Sequence, residues 1–335
     1  MAPGHFIPRS LIDEQTTRWG VRRLLTEARV LSTLLRCGAD NPGIAALDAA
    51  LLLQGVTILN STPDIHYWRE GATVTTHPSV FRSVTVSPHV VVAAEARELR
   101  GKPSAPLSPC KTSEPRLTGL AETILDMARF SHPLLAFVNG SLALRELAQY
   151  DKFTLAASQK RTKQAVAQML GMADALPLRK NLARARHLIS CLDPAIESPA
   201  EAIVLWAVEI LTRGSDSAGP DFRPDFKSQY EVVSQGNRYF LDVAFPEAQI
   251  AIEFHGTAKM EEGGSAQRRF LRRQADLTRD GWHVRRLTTS DYLDLPTLFR
   301  ILSQDLESRG VRVSAPGGPL WRAVPQSMLD PDRLF

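Results

Sequence analysis

The sequence predicts an α/β fold in which a mixed central sheet flanked by helices forms the C-terminal domain. An α+β N-terminal domain and a helical connector are predicted to precede it. Apolar residues recur at helical spacing from residue 117 to residue 211 and then alternate with polar ones, which indicates a change from helices to strands. The C-terminal elements follow the order helix, three strands, helix and strand. The chain has 335 residues, 44% of them apolar, enough for two or three cores because domains usually contain about 100–150 residues.

Residues 1–100 are predicted to form the α+β domain. Leu24, Leu31 and Leu35 lie at helical spacing, and residues 45–54 are a second apolar helix that ends at Gly55. Apolar and β-branched runs predict strands at 56–59, 72–76, 81–86 and 90–94. Prolines and serines are frequent in residues 101–116, which we interpret as a linker.

Residues 117–194 are interpreted as the helical connector, and residues 195–310 as the C-terminal α/β domain. In that domain an apolar helix at 202–211 follows Ser198 and Glu201, which have the spacing of a capping box. Predicted strands at 230–233 and 238–245 turn at Gly236, and a third strand covers 249–254. A helix at 267–279 and a strand at 282–287 complete the domain, and residues 311–335 form a proline-rich tail that either packs back or remains mobile.

The net charge of +4 is small for this length, but the basic residues are concentrated in two places. One is residues 160–187 of the connector, and the other is residues 268–286, which include most of the predicted helix at 267–279. Arginine suits bidentate contact with phosphate, although either cluster alone also fits a solvated helix face. The residues that we predict to contact nucleic acid are Lys160, Arg161, Lys163, Arg269, Arg272 and Arg273.

Several classes of function and location are disfavoured by the sequence. It contains no apolar run of about 18 residues and no signal peptide, so we expect a cytoplasmic protein without a membrane partner. The three cysteines are far apart, which argues against a zinc ribbon or a disulfide framework. The chain also lacks the glycine-rich loops typical of nucleotide binding.

Acidic residues on two neighbouring predicted strands form the candidate site. Asp242 and Glu253 are connected by a turn that can bring both carboxylates to one edge of the sheet. Glu253 and His255 are two positions apart, so on an extended strand their side chains share a face. Paired carboxylates with magnesium form a site that cleaves phosphodiesters, with a His or Lys for proton transfer. Each residue alone also fits a solvent-facing position or a pair with a nearby arginine, but an acid in an otherwise apolar strand is costly without a partner.

These motifs resemble a known family of endonucleases. The similarity is carried by the runs Ser198-Pro-Ala-Glu201, Leu241-Asp242-Val-Ala-Phe-Pro246, Ile252-Glu253-Phe-His255-Gly256 and Gly281-Trp282-His-Val-Arg-Arg286-Leu-Thr288. They resemble the Vsr-like (very-short-patch-repair-like) domain of the PD-(D/E)XK superfamily, whose fold is restriction-endonuclease-like. The upstream run Thr118-Gly-Leu-Ala-Glu-Thr123-Ile-Leu-Asp126-Met-Ala-Arg129 resembles the connector that joins such domains to an AbiEi-like N-terminal region of type IV toxin–antitoxin regulators.

The resemblance implies roles for particular residues. Asp242 corresponds to the metal-binding aspartate, Glu253 to the second acid, and Glu201 to a helix acid that completes the metal site. His255 occupies the position of the superfamily's catalytic lysine, and Lys259 lies a few residues beyond it. The implied cofactor is Mg²⁺ or Mn²⁺, and the implied substrate is DNA.

Three hypotheses about function follow. The first is a metal-dependent DNA endonuclease or nickase acting in defence, repair or a mobile-element system. The second is a non-catalytic, antitoxin-like transcriptional regulator that binds DNA, which would require a winged helix near the N-terminus. The third is a protein–protein module with a partner from a defence or toxin–antitoxin system, which would require a large exposed apolar patch.

Overall fold

The chain adopts a mixed α/β fold in which helices flank two mixed sheets. The computed structural model describes residues 7–15, 17–37, 43–69, 79–86, 89–99, 115–177, 180–213, 225–254 and 264–334. None of the helices in this part of the chain is long and apolar enough to cross a membrane.

The N-terminal region packs helices against a five-stranded sheet. Its elements are α1 (Arg9–Asp13), α2 (Arg18–Arg36), β1 (Ile44–Ala46), α3 (Asp48–Leu53), β2 (Ile65–Trp68), β3 (Ser79–Phe81), β4 (Val84–Val86), β5 (His89–Val91), β6 (Ala94–Glu98) and β7 (Arg116–Leu117). The strand order is β3-β6-β2-β1-β7, and β4 and β5 pair separately. Strand β7 lies at the end of the predicted linker and pairs parallel with β1, so the chain enters the connector directly from this sheet.

Several N-terminal predictions were wrong. Val56, Ile58 and Leu59 are buried, but the segment 56–59 is not a strand: the amide of Leu59 donates to Asn139 Oδ1 of the connector instead of to a neighbouring strand. The predicted helix at 45–54 begins as strand β1, and the predicted strand at 81–86 is divided between β3 and β4. Strand β2 was missed, and the predicted strand at 72–76 lies outside the described residues.

The connector is helical, as predicted, and much of it is buried. It contains α4 (Leu120–Phe130), α5 (Pro133–Ala148), a short 3-10 turn (Lys152–Thr154), α6 (Leu155–Ala175) and α7 (Leu182–Cys191). Even charged side chains are buried here, since Asp126 and Arg129 of α4 form an ion pair of 3.6 Å. The buried apolar side chains of the connector join those of the N-terminal region and of the C-terminal domain in one continuous core.

The C-terminal domain has the predicted order of helix, three strands, helix and strand. Its elements are α8 (Pro199–Arg213), β8 (Lys227–Ser234), β9 (Asn237–Phe245), β10 (Ile250–Phe254), α9 (Gly264–Arg279), β11 (His283–Leu287), α10 (Thr289–Leu293) and α11 (Leu295–Ser308). The sheet order is β11-β10-β9-β8, with β10 and β11 parallel and the other pairs antiparallel. The apolar helix α8 lies in the main core, and a small second core containing Leu277 and Trp282 forms beneath α9.

The C-terminal tail packs back along the molecule. Trp321 stacks on Trp206 of α8, whose Nε1 donates to the carbonyl of Leu320 at 3.2 Å. After a 3-10 turn (Gln326–Leu329), α12 (Pro331–Leu334) reaches the N-terminal region. There the carbonyl of Arg333 accepts hydrogen bonds from the amide and hydroxyl of Ser61 at 2.7 and 2.6 Å. The tail therefore contacts both the C-terminal domain and the N-terminal region.

Candidate functional site

Strands β9 and β10 bring Asp242 and Glu253 together. Their antiparallel register pairs Ile252 with Val243, which are the chain neighbours of Glu253 and Asp242. Directly opposite residues of an antiparallel pair are close neighbours. Beyond Val243 the hydrogen bonding changes, because the amide of Phe254 donates to Asp242 Oδ2 at 2.9 Å. Asp242 thus lies where β9 and β10 begin to separate.

A local distortion of the sheet positions the Asp242 side chain. Residues Leu241 and Ala244 both belong to the small core beneath α9, although three positions apart on a regular strand they would face opposite sides. On the neighbouring strand, Gln229 has a positive φ of 47° at the position opposite Asp242. Gln229 Nε2 donates to Asp242 Oδ1 at 3.2 Å. Both carboxylate oxygens of Asp242 are therefore oriented by hydrogen bonds.

Glu253 is buried and faces two arginines. Arg273 of α9 forms an ion pair with Glu253 Oε1 and also donates to the carbonyl of Phe240 at 2.6 Å. Arg286 Nε of β11 lies 3.9 Å from Glu253 Oε2. Burial raises the pKa of Glu253, the Arg273 charge opposes that rise, and Asp242 adds to it. The two arginines therefore stabilise the ionised form of Glu253 against the effect of burial.

Arg286 also has hydrogen-bonding capacity left over. Its guanidinium lies over the Phe270 ring at 4.6 Å, and its buried Nη2 has no hydrogen-bond partner among the described residues. A buried guanidinium is stabilised when an anionic oxygen accepts from it. Arg286 is therefore a candidate phosphate contact beside Glu253. The sequence analysis did not assign this role to Arg286, although the motif that contains it was part of the resemblance.

Glu201 caps helix α8, and its pKa is also affected by the charge of Asp242. Its carboxylate accepts hydrogen bonds of 2.9 Å from the Glu197 amide and from Ser198 Oγ, which in turn accepts from the Glu201 amide at 3.2 Å. The predicted cap is thus present, with the Glu197 amide as the partner of the carboxylate. Burial first, and the charge of Asp242 second, raise the pKa of Glu201 to about 7. Capping and proximity to the acidic site therefore coexist in this residue.

The charge of Asp242 acts on carboxylates from two other elements, Glu201 of α8 and Glu253 of β10. We call Glu201, Asp242 and Glu253 the acidic site. Their oxygens are the hard ligands that Mg²⁺ prefers. Within the described residues, however, no three His, Cys, Asp or Glu side chains are close enough together to hold a metal ion. In this arrangement Arg273 forms an ion pair with Glu253. The raised pKa of Glu201 favours a protonated carboxyl near neutral pH. His255 and Lys259 lie outside the described residues.

The predicted nucleic-acid residues of the connector have different roles in the structure. Lys160 and Lys163 are exposed on α6. Arg161 donates instead to the carbonyls of Ala148 and Gln149, at 2.7 and 2.6 Å, and so caps the C-terminal end of α5. The guanidinium of Arg161 is thus already held by backbone carbonyls.

On helix α9, the predicted residues Arg269 and Arg272 are exposed and form no hydrogen bond or ion pair with another described residue. Arg273, the next residue, is directed to Glu253 instead. The helix thus presents cations to solvent on one side and a cation to the acidic site on the other.

A residue that sequence reasoning missed is Gln229, which orients Asp242. Its sequence neighbourhood is an ordinary polar start to a strand, so its positive φ had no detectable signal. Lys152 and Phe153, beside Gln229, were also missed. A basic residue next to an aromatic one in a loop was their only signal.

Compared with known protein families, curated proteins and solved structures, the chain shows no significant match. The assignment of function therefore depends on the residues of the site and on the motifs quoted above.

Proposed function

We propose that the protein is a metal-dependent DNA endonuclease or nickase that hydrolyses phosphodiester bonds at the acidic site. The observation that carries the proposal is that Asp242 and Glu253 lie on paired strands and that the charge of Asp242 also acts on Glu201 of α8. Like charges placed together in a partly buried position destabilise one another unless a cation or a proton neutralises them. A site built in this way is suited to a divalent cation and a phosphate.

In this proposal Asp242 and Glu253 hold Mg²⁺ or Mn²⁺, and Glu201 is an auxiliary ligand. When bound, such an ion polarises a phosphoryl oxygen and activates water. Gln229 and the Phe254 amide keep the Asp242 oxygens in place, and Arg286 donates to a phosphate oxygen beside Glu253. His255 and Lys259 are proposed, from the resemblance alone, to assist proton transfer or to stabilise charge.

The wider assignment is proposed on the same basis. The motifs that led us to expect a Vsr-like, PD-(D/E)XK-type domain include residues of α8, β9, β10 and β11. We further infer a cytoplasmic protein with DNA as its partner, joined to a region related to AbiEi-like regulators. A protein partner from a defence or toxin–antitoxin system would suit that region.

The second candidate is a regulator that binds DNA without cutting it. The ion pair between Arg273 and Glu253 favours this candidate, because it already neutralises one of the two main carboxylates. In this alternative the acids are structural, and the exposed arginines of α9 supply the affinity for DNA.

A nicking assay distinguishes the two candidates. Wild type, Asp242→Asn and Glu247→Gln are incubated with supercoiled plasmid and Mg²⁺ or Mn²⁺, and binding is measured in parallel in chelator. Glu247 is an exposed acid at the other end of the same strand pair and serves as the control. Under the nuclease proposal only Asp242→Asn loses most nicking, by at least about tenfold, since each ~1.4 kcal/mol of transition-state stabilisation is tenfold in rate.

Binding in chelator should not weaken in Asp242→Asn, because removing a negative charge does not disfavour a polyanion. Wild-type protein that binds DNA but never nicks it with any divalent metal would support the regulator instead. Loss of nicking and binding together would indicate that Asp242 is structural.

A further inference from the structure

A cleft opens between the connector and the edge of the C-terminal sheet. Its volume is ≈ 730 Å³, within the range of about 300–1,000 Å³ typical of ligand sites. The 3-10 turn and the start of α6 form one wall, and β8 with part of β9 forms the other. The wall residues that matter for the argument are Lys152, Phe153, Lys163, Lys227, Gln229 and Phe240.

The walls combine aromatic rings with cations. Phe153 is 69% exposed although it is a large apolar side chain, and its ring meets Phe240 edge-on at a centroid distance of 5.7 Å. Lys152 Nζ lies 5.0 Å from the centroid of the Phe240 ring. Lys163 and Lys227 line the same cleft. Aromatic faces that stack with bases, flanked by cations that contact phosphates, are typical of sites for single-stranded nucleic acid.

A short chain of hydrogen bonds connects the cleft with the acidic site. Lys152 Nζ donates to Gln229 Oε1 at 3.3 Å, and Gln229 Nε2 donates to Asp242 Oδ1 at 3.2 Å. Gln229 therefore belongs to both places: it lines the cleft and it orients Asp242.

We propose that this cleft binds an unpaired nucleotide of single-stranded DNA, with its base against Phe153 and its phosphates near Lys163 and Lys227. The inference rests on the proposed function and adds a substrate class to it: DNA with an unpaired segment beside the scissile bond. Bases in a duplex are stacked inside the helix and cannot offer a face to a ring inside a cleft. A fully paired duplex therefore gains nothing from Phe153.

Binding of labelled oligothymidylate and of a paired duplex of equal length, measured by fluorescence anisotropy in chelator, tests the proposal. Phe153→Ala should weaken binding of the single strand about tenfold, since base stacking on an aromatic side chain contributes about 1–3 kcal/mol per base. Binding of the duplex should not change. Phe153→Trp should retain the affinity, and its added fluorescence should be quenched by the single strand. Val233→Ala is the control, because Val233 is 65% exposed on β8 outside the cleft.

A matched pair of lysines tests the phosphate contacts. Lys163 lines the cleft and Lys160, one helical turn earlier on α6, does not. Lys163→Ala should lower the salt dependence of single-strand binding by about 0.7, the expected value for one lost phosphate contact. Lys160→Ala should have a smaller effect on the single strand.

The inference is overturned if Phe153→Ala binds the single strand as wild type does, or weakens binding of single strand and duplex equally. Capture of an extended peptide by edge strand β8, with no affinity for oligothymidylate, would also overturn it. Plasmid nicking separates this inference from the proposed function. If the wild type nicks DNA and Phe153→Ala is unaltered in every assay, only the proposed role of the cleft is rejected. If the wild type never nicks but Phe153→Ala loses affinity for the single strand, only the nuclease proposal is rejected.

Discussion

Two basic clusters of similar composition have different roles in this molecule. The connector cluster comprises Lys160, Arg161, Lys163, Arg184 and Arg186, and the α9 cluster comprises Arg268, Arg269, Arg272, Arg273 and Arg279. Both Arg161 and Arg184 donate to backbone carbonyls at the ends of α5 and α4. Arg269 and Arg272, by contrast, are exposed and form no hydrogen bond or ion pair with another described residue.

A high arginine content therefore does not by itself indicate a phosphate-binding surface. The last carbonyls of a helix have no partner within the helix, and a guanidinium can donate to several of them at once. The connector has two such ends close to its own arginines. On α9, Arg273 is directed toward the sheet, where it contacts the buried Glu253 of β10. Substitutions within each cluster test this distinction.

The largest effect is expected for Arg273→Gln, compared with Arg272→Gln on the same helix. Breaking a buried ion pair leaves an uncompensated charge and costs about 3–5 kcal/mol. We expect a loss of about 3 kcal/mol in the free energy of unfolding for Arg273→Gln, measured by urea denaturation at pH 8 in chelator. Arg272→Gln should change it by less than about 0.5 kcal/mol.

Two additional measurements make this prediction specific. The loss should be smaller at pH 5, because burial raises the pKa of Glu253 and a proton can then replace the arginine. Adding Glu253→Gln to Arg273→Gln should restore most of the stability, and under the nuclease proposal Mg²⁺ should restore part of it in the single variant. Equal stability of the Arg272 and Arg273 variants would contradict the proposed role of this ion pair.

The next effect concerns Arg161→Met, with Lys160→Met as its control. Arg161 donates two hydrogen bonds to the end of α5, and hydrogen bonds to charged groups contribute about 1.5–3 kcal/mol each to stability. Because Arg161 is only partly buried, we expect a total loss of about 2 kcal/mol in thermal or urea unfolding. Lys160 is exposed, and its variant should unfold as wild type does. If both variants were equally stable, the hydrogen bonds of Arg161 to α5 would not contribute to stability.

A smaller difference is expected in the salt dependence of duplex binding. Arg269→Gln with Arg272→Gln should lower the slope of log affinity against log salt by about 1.8, or about 0.9 per lost phosphate contact. The double variant of Lys160 and Lys163 to Gln should lower it less, and neither pair should alter stability. Arg161 is left intact because its substitution would confuse binding with folding. A larger decrease from the lysine pair would reverse the proposed roles of the two clusters.

The last prediction concerns the pH dependence due to Glu201, whose hydrogen-bond donors are neutral, unlike those of Glu253. Its pKa of about 7 lies above the ordinary value of 4.5 for a glutamate, so between these values the folded state binds more protons than the unfolded state. The free energy of unfolding therefore falls as pH rises through this window, by at most about 1.4 kcal/mol per pH unit for one proton. Glu201→Gln should flatten this part of the profile, measured by urea denaturation at successive pH values. An unchanged slope would show that Glu201 titrates normally.

The elements of the C-terminal domain were predictable because their signals are local. The turn at Gly236, the alternation along β9 and the apolar strand β10 are typical of a hairpin and a third strand. The N-terminal region was predicted less well for a corresponding reason. The segment 56–59 is as apolar as a strand, but Asn139 of the connector satisfies the amide of Leu59.

The order of the C-terminal elements and the candidates Asp242 and Glu253 follow from the sequence alone, because hydrophobic period and acids in apolar context are local features, whereas Glu201 was a candidate through the family resemblance. Only the tertiary structure decided which cations face which partners. Arg161 and Lys163 are two positions apart, yet one caps α5 and the other lines a cleft. Such differences depend on which carbonyls, carboxylates and rings the fold brings within about 3–6 Å, and these lie far away in the chain.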